Sequence, residues 1–468
     1  MYNSRLTSIL KSFTSKERRL CKAWISCSMH NQRQDVCDLY DFLWDMGLKE
    51  QFLTKSLAWA TIYPNTSYND GKMRQIMHRL LATVEDFISY QQMQKQDGQS
   101  SIFLLQAFKD RKLYQILDKS IKSNNRSIVR PSTKNWKSLR FSYELEALRF
   151  NAAERQQRTS PLNLQELSDS LDIQYFADKL RKACLLYSRL VVFKMDYQPK
   201  MLEVVLEQVK ELDYIKIPAI GIYYYCYQSL MATENADAYF QKMMHYLKQY
   251  AHHFPTNELR ELYLLAINYT IKKLNSGSQW HLETAYNLYK TGITEGYLLE
   301  DGTLTPFTYN NMVSIGITLE HYEWIEEFVH TYKNTIAPEH RESIFQECLA
   351  KLYYAKKQYD KAKQLLAQIE IKDILRILSC KLMLAKIYYE TNEFDALEAL
   401  LDSLKMYLRR KEVVGYHKEN YSNNTRFIQK LVRVNPFDKR AKAKLQEEIE
   451  TTKILTLRDW LLHQLKQL

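Results

Sequence analysis

Near the C-terminus the apolar positions of this chain repeat. Leu349, Ala350, Leu352, Tyr353, Tyr354, Tyr359, Ala362, Leu365 and Leu366 are matched 35 residues on by Leu384, Ala385, Ile387, Tyr388, Tyr389, Phe394, Leu397, Leu400 and Leu401. The spacing within each copy predicts two amphipathic helices. Between them stand the polar turns Lys356-Lys357-Gln358 and Thr391-Asn392-Glu393, short enough for an antiparallel helical hairpin. Ala350 and Ala385 are small where two helices cross closely. Tyr353 and Tyr388 fill the groove beside them, and Ala362 and Leu397 receive the partner helix.

A period of 34–35 residues, with small-x-x-Tyr in one helix and an apolar triplet in the next, resembles the tetratricopeptide repeat over residues 340–410. The consensus tryptophan and proline are missing, and Leu397 stands where alanine is usual. Upstream the period degrades but the pairing continues, through Val313, Gly316, Tyr322, Ile325 and Phe328, and through Leu265, Ala266, Tyr269, Ala285 and Leu288. Prolines 199, 218, 255, 306 and 338 fall between these segments, where helices should stop. The expected architecture is all-α: tetratricopeptide-like helical hairpins stacked as a solenoid over residues 170–424, five to seven in number. Residues 425–468 are expected to add capping helices, the last bearing Leu457, Trp460, Leu461 and Leu465.

Residues 1–120 are read as a helical module without that period. Val36–Leu43 is amphipathic, a second helix runs from Thr54 to Pro64, and Ser67-Tyr68-Asn69-Asp70 offers N-cap oxygens to a third through Met73, Ile76, Leu80, Val84 and Phe87. Short helix, turn, and a helix bearing Lys72, Arg74, Gln75, His78 and Arg79 fit a helix-turn-helix, whose second helix reads the major groove. The segment resembles the winged-helix part of repeat-containing bacterial regulators. Residues 89–101 depart from that pattern, because they lack the alternating β-branched residues of a wing. The alternative is a helical bundle with a solvated basic face. Tyr68-Asn69-Asp70, Arg74, Leu80-Leu81 and the distant Trp460-Leu461-Leu462 also resemble helical proteins of unknown role from Bacteroidetes-type bacteria, a resemblance that implies no activity. Residues 121–169 are expected to form a basic linker and connecting helix, with part of 121–140 as loop.

Composition narrows the function classes. Ten glycines and nine prolines in 468 residues argue against sandwiches, barrels and phosphate-cradling α/β enzymes. No Gly-x-x-x-x-Gly-Lys-Ser/Thr, Gly-x-Ser-x-Gly or His-Glu-x-x-His occurs, so no enzyme is expected and no cofactor is implied. Cys21, Cys27, His30 and Cys37 match no paired metal-ligand spacing and read as small buried groups. Seven scattered cysteines, no secretory signal and no membrane-length apolar run lead us to expect a reduced, cytoplasmic protein with no membrane partner.

Charge is uneven: Lys+Arg exceed Asp+Glu by 10 in residues 1–150, fall short by 7 in 151–350, and exceed by 9 in 351–468. Basic ends favour an acidic protein or peptide, or nucleic acid. Two further groups are candidates for partner binding. The run Tyr223, Tyr224, Tyr225 is too continuous for one helix face, so its rings are either core or peptide anchors. Arg409, Arg410 and Lys411 belong to a dense C-terminal basic set able to clamp carboxylates or phosphates. The leading expectation is a non-catalytic scaffold that binds a protein or peptide on a concave repeat surface. The alternative is a nucleic-acid-binding regulator using Lys72, Arg74, Gln75 and Arg79.

Overall fold

In the computed structural model the chain forms twenty-three α-helices and four single-turn 3-10 segments, with no β-strand among the described residues. The described residues are all except 96–97, 128–134, 157–161, 194–198, 276–277, 279, 370–372 and 411–415. Two compact units divide the chain, Met1–Phe176 and Ala177–Leu468, and the boundary falls inside the helix Leu164–Phe193.

In the first unit, short polar residues start the helices. Thr14 and Glu17 make a reciprocal capping box on Ser15–Ile25, Thr54 accepts from the Leu57 amide, and the Asn69 side chain accepts from the Lys72 amide at 2.9 Å. Five helices, Arg5–Lys11, Ser15–Ile25, Gln34–Asp45, Lys55–Ile62 and Asp70–Lys95, bury one core around Leu10, Leu39, Leu43, Ile76 and Leu80. Gln34–Asp45 packs on both Lys55–Ile62 and Asp70–Lys95, which also touch each other. Three more, Gln99–Asp110, Tyr114–Ser127 and Trp136–Gln156, enclose a second core at Leu105, Leu117 and Leu145. The stretch 121–140, expected in part as loop, therefore ends one helix and begins another; its middle, 128–134, lies outside the described residues.

In the second unit, successive helices pack pairwise. Pro218–Met231 packs on Ala236–Tyr250, Thr256–Asn275 on Trp280–Thr294, Pro306–Thr318 on Tyr322–Thr331, Pro338–Ala355 on Tyr359–Gln368, and Ile374–Glu390 on Phe394–Arg410. First helices of consecutive pairs also touch: Pro218–Met231 meets Thr256–Asn275, Pro306–Thr318 meets Pro338–Ala355, and Pro338–Ala355 meets Ile374–Glu390. Prolines 218, 306 and 338 occupy the first helical residue, where the missing N–H costs nothing. They start helices rather than merely follow them. Tyr416–Arg433, Lys439–Thr451 and Arg458–Gln467 complete the unit in one cluster with Leu378, Ala385 and Leu397.

Three of the pairs share one turn geometry. In 319–321, 356–358 and 391–393 the middle residue is left-handed: Glu320 at φ 59°, Lys357 at 58° and Asn392 at 60°. The next amide reaches back five residues, from His321 to Gly316, from Gln358 to Tyr353 and from Glu393 to Tyr388, at 2.8–2.9 Å. This bond closes the end of the first helix as a Schellman cap does, without the usual glycine. The approach of the second helix is close in each pair. Ala350 and Ala385, seven residues before their left-handed turns, are buried, as is Val313 in the same register of the first pair. Gly316, four residues before its turn, brings the helices closer still: a Cβ there would stand 2.3 Å from Ile325 Cδ1.

A left-handed residue with a Cβ carries about 1–2 kcal/mol of strain. Lys357→Gly and Glu320→Gly are expected to raise the urea midpoint of unfolding, each by about 0.5–1 kcal/mol of stability. Asn392→Gly should gain less, since asparagine tolerates this region. Unchanged midpoints in all three would contradict the turn geometry.

Candidate functional site

The tyrosine helix is core. Pro218–Met231 buries Tyr223 and Tyr224, 0% and 1% exposed, and only Tyr225 of the three is half-buried. Gly221 permits the approach: a Cβ there would fall 2.3 Å from the Ile215 carbonyl oxygen and 2.5 Å from the Tyr246 ring. The Tyr223 hydroxyl donates to buried Glu258 at 2.9 Å, and the Cys184 thiol donates to the Tyr223 carbonyl at 3.3 Å. Burial pushes the Tyr223 hydroxyl well above its ordinary pKa. Tyr225 packs edge-on against Tyr224 and Tyr246. Tyr223 and Tyr224 are thus not on an open surface, because neighbouring segments cover both rings. Arg409 and Arg410 are exposed in the last turn of Phe394–Arg410, and Lys411 lies outside the described residues.

The first helices of these pairs hold charged groups that their sequence positions do not advertise. Glu390 accepts from the hydroxyls of Tyr354 at 2.5 Å and Tyr359 at 2.6 Å, and from the indole of Trp460 at 2.6 Å. Burial, with the Glu390 hydrogen bond added, pushes Tyr359 up to about 12. Lys386 lies over the Tyr354 ring at 4.4 Å and the Trp460 ring at 5.7 Å, and burial draws its pKa below the ordinary lysine value. One helix along, buried Glu347 meets Arg376 at 2.7 Å and Lys351 at 3.3 Å. A carboxylate in low dielectric needs such partners. No residue of Ile374–Glu390 is fully exposed, and Trp460 of Arg458–Gln467 packs against its last turn at Lys386, Tyr389 and Glu390. Pro306–Thr318 differs: Phe307, Asn311, Ser314 and Thr318 keep an exposed stripe along it.

A third cluster joins Asp237 to Tyr269 at 2.6 Å, to His281 Nε2 at 2.9 Å and to Lys273 at 3.2 Å, while Ser278 Oγ meets His281 Nδ1 at 2.9 Å. Serine, imidazole and carboxylate follow one another, but His281 is 1% exposed and three donors already divide Asp237's charge. The cluster ties Ala236–Tyr250, Thr256–Asn275 and Trp280–Thr294 together. Among the described residues no group of three or more His, Cys, Asp or Glu could hold a metal, and Cys21, Cys184, Cys226, Cys348 and Cys380 are buried free thiols. No helix among the described residues is long and apolar enough to cross a membrane.

In the first unit, Lys72, Arg74, Gln75, His78 and Arg79 are all exposed on Asp70–Lys95. Asp70 gathers part of this charge: it accepts from Tyr68 at 2.8 Å and Lys55 at 3.0 Å and pairs with Arg74 at 2.5 Å, which holds its carboxyl at about 2. Lys72 stands over the Tyr63 ring at 4.2 Å. Beyond Ile88 the helix runs on to Lys95, and the next begins at Gln99. Helix therefore occupies the place where a wing would follow.

No family model, no curated protein and no solved structure matches this chain.

Sequence reasoning passed over Glu390, Glu347, Lys386 and Asp237. Their signal was a charged residue on an otherwise apolar helical stripe. Glu390→Ala leaves three half-buried donors without their acceptor and is expected to cost about 1–2 kcal/mol, read from urea unfolding. Glu390→Gln, which keeps an acceptor oxygen, should cost less. Equal losses would contradict the carboxylate's role.

Proposed function

We propose that the chain is a non-catalytic scaffold: its second unit is a tetratricopeptide-like stack that binds a protein or peptide partner. The observation that carries this reading is the recurrence of one hairpin, with equivalent left-handed turns at Glu320, Lys357 and Asn392, each closed by the same five-residue hydrogen bond, and equivalent buried alanines at Ala350 and Ala385. Stacked hairpins of this kind bury their cores between neighbours and leave an extended surface for recognition. With Tyr223 and Tyr224 buried and the 374–390 level covered, the reading moves the contact surface to the exposed stripe Phe307, Asn311, Ser314 and Thr318. A photo-crosslinking residue at Ser314 in the full chain is expected to trap a discrete protein adduct in the source cell. Phe307→Ser with Asn311→Ala should abolish it. An adduct unaffected by these changes, or none at all, would sink the reading.

The second reading is a nucleic-acid-binding regulator. It is favoured by one specific observation, five polar or basic side chains exposed together on Asp70–Lys95, in a helix packed on Gln34–Asp45 and Lys55–Ile62. Anisotropy of labelled duplex and single strand across a salt series tests it. Under this reading, Arg74→Ala/Arg79→Ala lowers the slope of log affinity against log salt by about 2, one for each lost phosphate contact. Affinity and slope that stay unchanged would remove this surface.

A further inference from the structure

The last two helices form a cleft of about 270 Å³ lined by Lys439, Lys442, Ala443, Leu462, Leu465 and Lys466. Lys439, Lys442 and Ala443 stand on one face of Lys439–Thr451, three and four residues apart. Lys466 comes from Arg458–Gln467, so three lysines from two helices line one cleft. None of the three forms an ion pair or hydrogen bond with a described residue. Their neighbours behave differently. Lys430 pairs with Glu448, whose carboxyl is held below its ordinary pKa by Lys430 first and by Lys444 and Arg426 besides. Gln446, which also lines the cleft, donates to Glu450 at 2.8 Å, and among the described residues no acid pairs with the three lysines.

The floor is apolar. Leu465 is 4% exposed, and Leu462 is half-buried beside it. Uncompensated like charges around an apolar floor repel one another until an anion arrives. A phosphate chain would satisfy the lysines but not the leucines, and the cleft lining offers no aromatic ring on which bases could stack. An acidic peptide satisfies both. We propose that this cleft docks an acidic segment of a partner protein, which sets an apolar side chain between Leu462 and Leu465 and its carboxylates against Lys439, Lys442 and Lys466. The inference deepens the scaffold reading and rests on it: it gives the partner a charge and the stack a second contact point.

The test uses the full chain and a phage-displayed library of random 12-residue peptides, selected in parallel on the native protein and on Lys439→Gln/Lys442→Gln/Lys466→Gln. All three substitutions lie at the cleft rim, and unfolding of the variant by urea should match that of the native chain. The expected result is enrichment of peptides that pair Asp or Glu with an apolar residue. Their affinity should fall about tenfold or more on the variant, as loss of three rim charges implies. Peptides that bind both proteins equally would overturn the cleft and leave the scaffold reading standing. No enrichment on either protein would overturn both. Displacement of the selected peptides by a 20-nucleotide single strand, at lower concentration than by free peptide, would reassign the lysines to phosphate.

Discussion

Two helices joined by three residues can pack along their length only if the chain reverses within one turn and the axes come close at the first crossing. Both conditions fall on single residues here. The reversal needs a left-handed backbone at 320, 357 and 392, and the close approach needs a small side chain at 350 and 385 and, at a different register of its pair, none at 316. Neither condition involves much area, yet the placement of each second helix follows from them. With the hairpin fixed, the apolar faces of neighbouring hairpins have one way to meet, and the core between 338 and 410 is built from those meetings.

The same packing decides where charge is displayed. Glu347 and Glu390 are drawn inward and engaged by Arg376, Lys351, Tyr354, Tyr359 and Trp460, and Asp237, half-exposed, is held by Tyr269, His281 and Lys273. These acids are therefore spent on internal contacts. Many of the cations of the C-terminal third stay at the surface, with Arg409, Arg410, Lys439 and Lys466 exposed. These acids take Arg376, Lys351 and Lys273 with them, so the formal excess of basic residues is kept in what the surface presents. At the other end, Asp70 tempers the effect by holding Lys55 and Arg74.

How much of this was legible in the sequence depends on which residues carried period. The 35-residue spacing of Ala350 and Ala385 made the C-terminal hairpins readable, and Thr54 and Asn69 marked two helix starts because their side chains cap amides directly. The basic face of Asp70–Lys95 was also readable, since exposed residues on a helix follow from its apolar stripe. The tyrosine run was not. Whether Tyr223 and Tyr224 face a groove or a core depends on Gly221 letting Ile215 and Tyr246 close over the helix, a contact between segments that local pattern does not encode. Glu390 was missed for a related reason. Its three donors come from residues 354, 359 and 460, and only the fold brings them together.

The left-handed turns have one more consequence. Where other chains would place glycine, three hairpins here place glutamate, lysine and asparagine, at 320, 357 and 392. Glycine would leave those tips blank. Each tip instead carries a side chain at the same point of its hairpin, on a backbone held by the same hydrogen bond. The three tips can therefore be rewritten one at a time. Substituting one changes what that hairpin presents and leaves its buried helix contacts untouched.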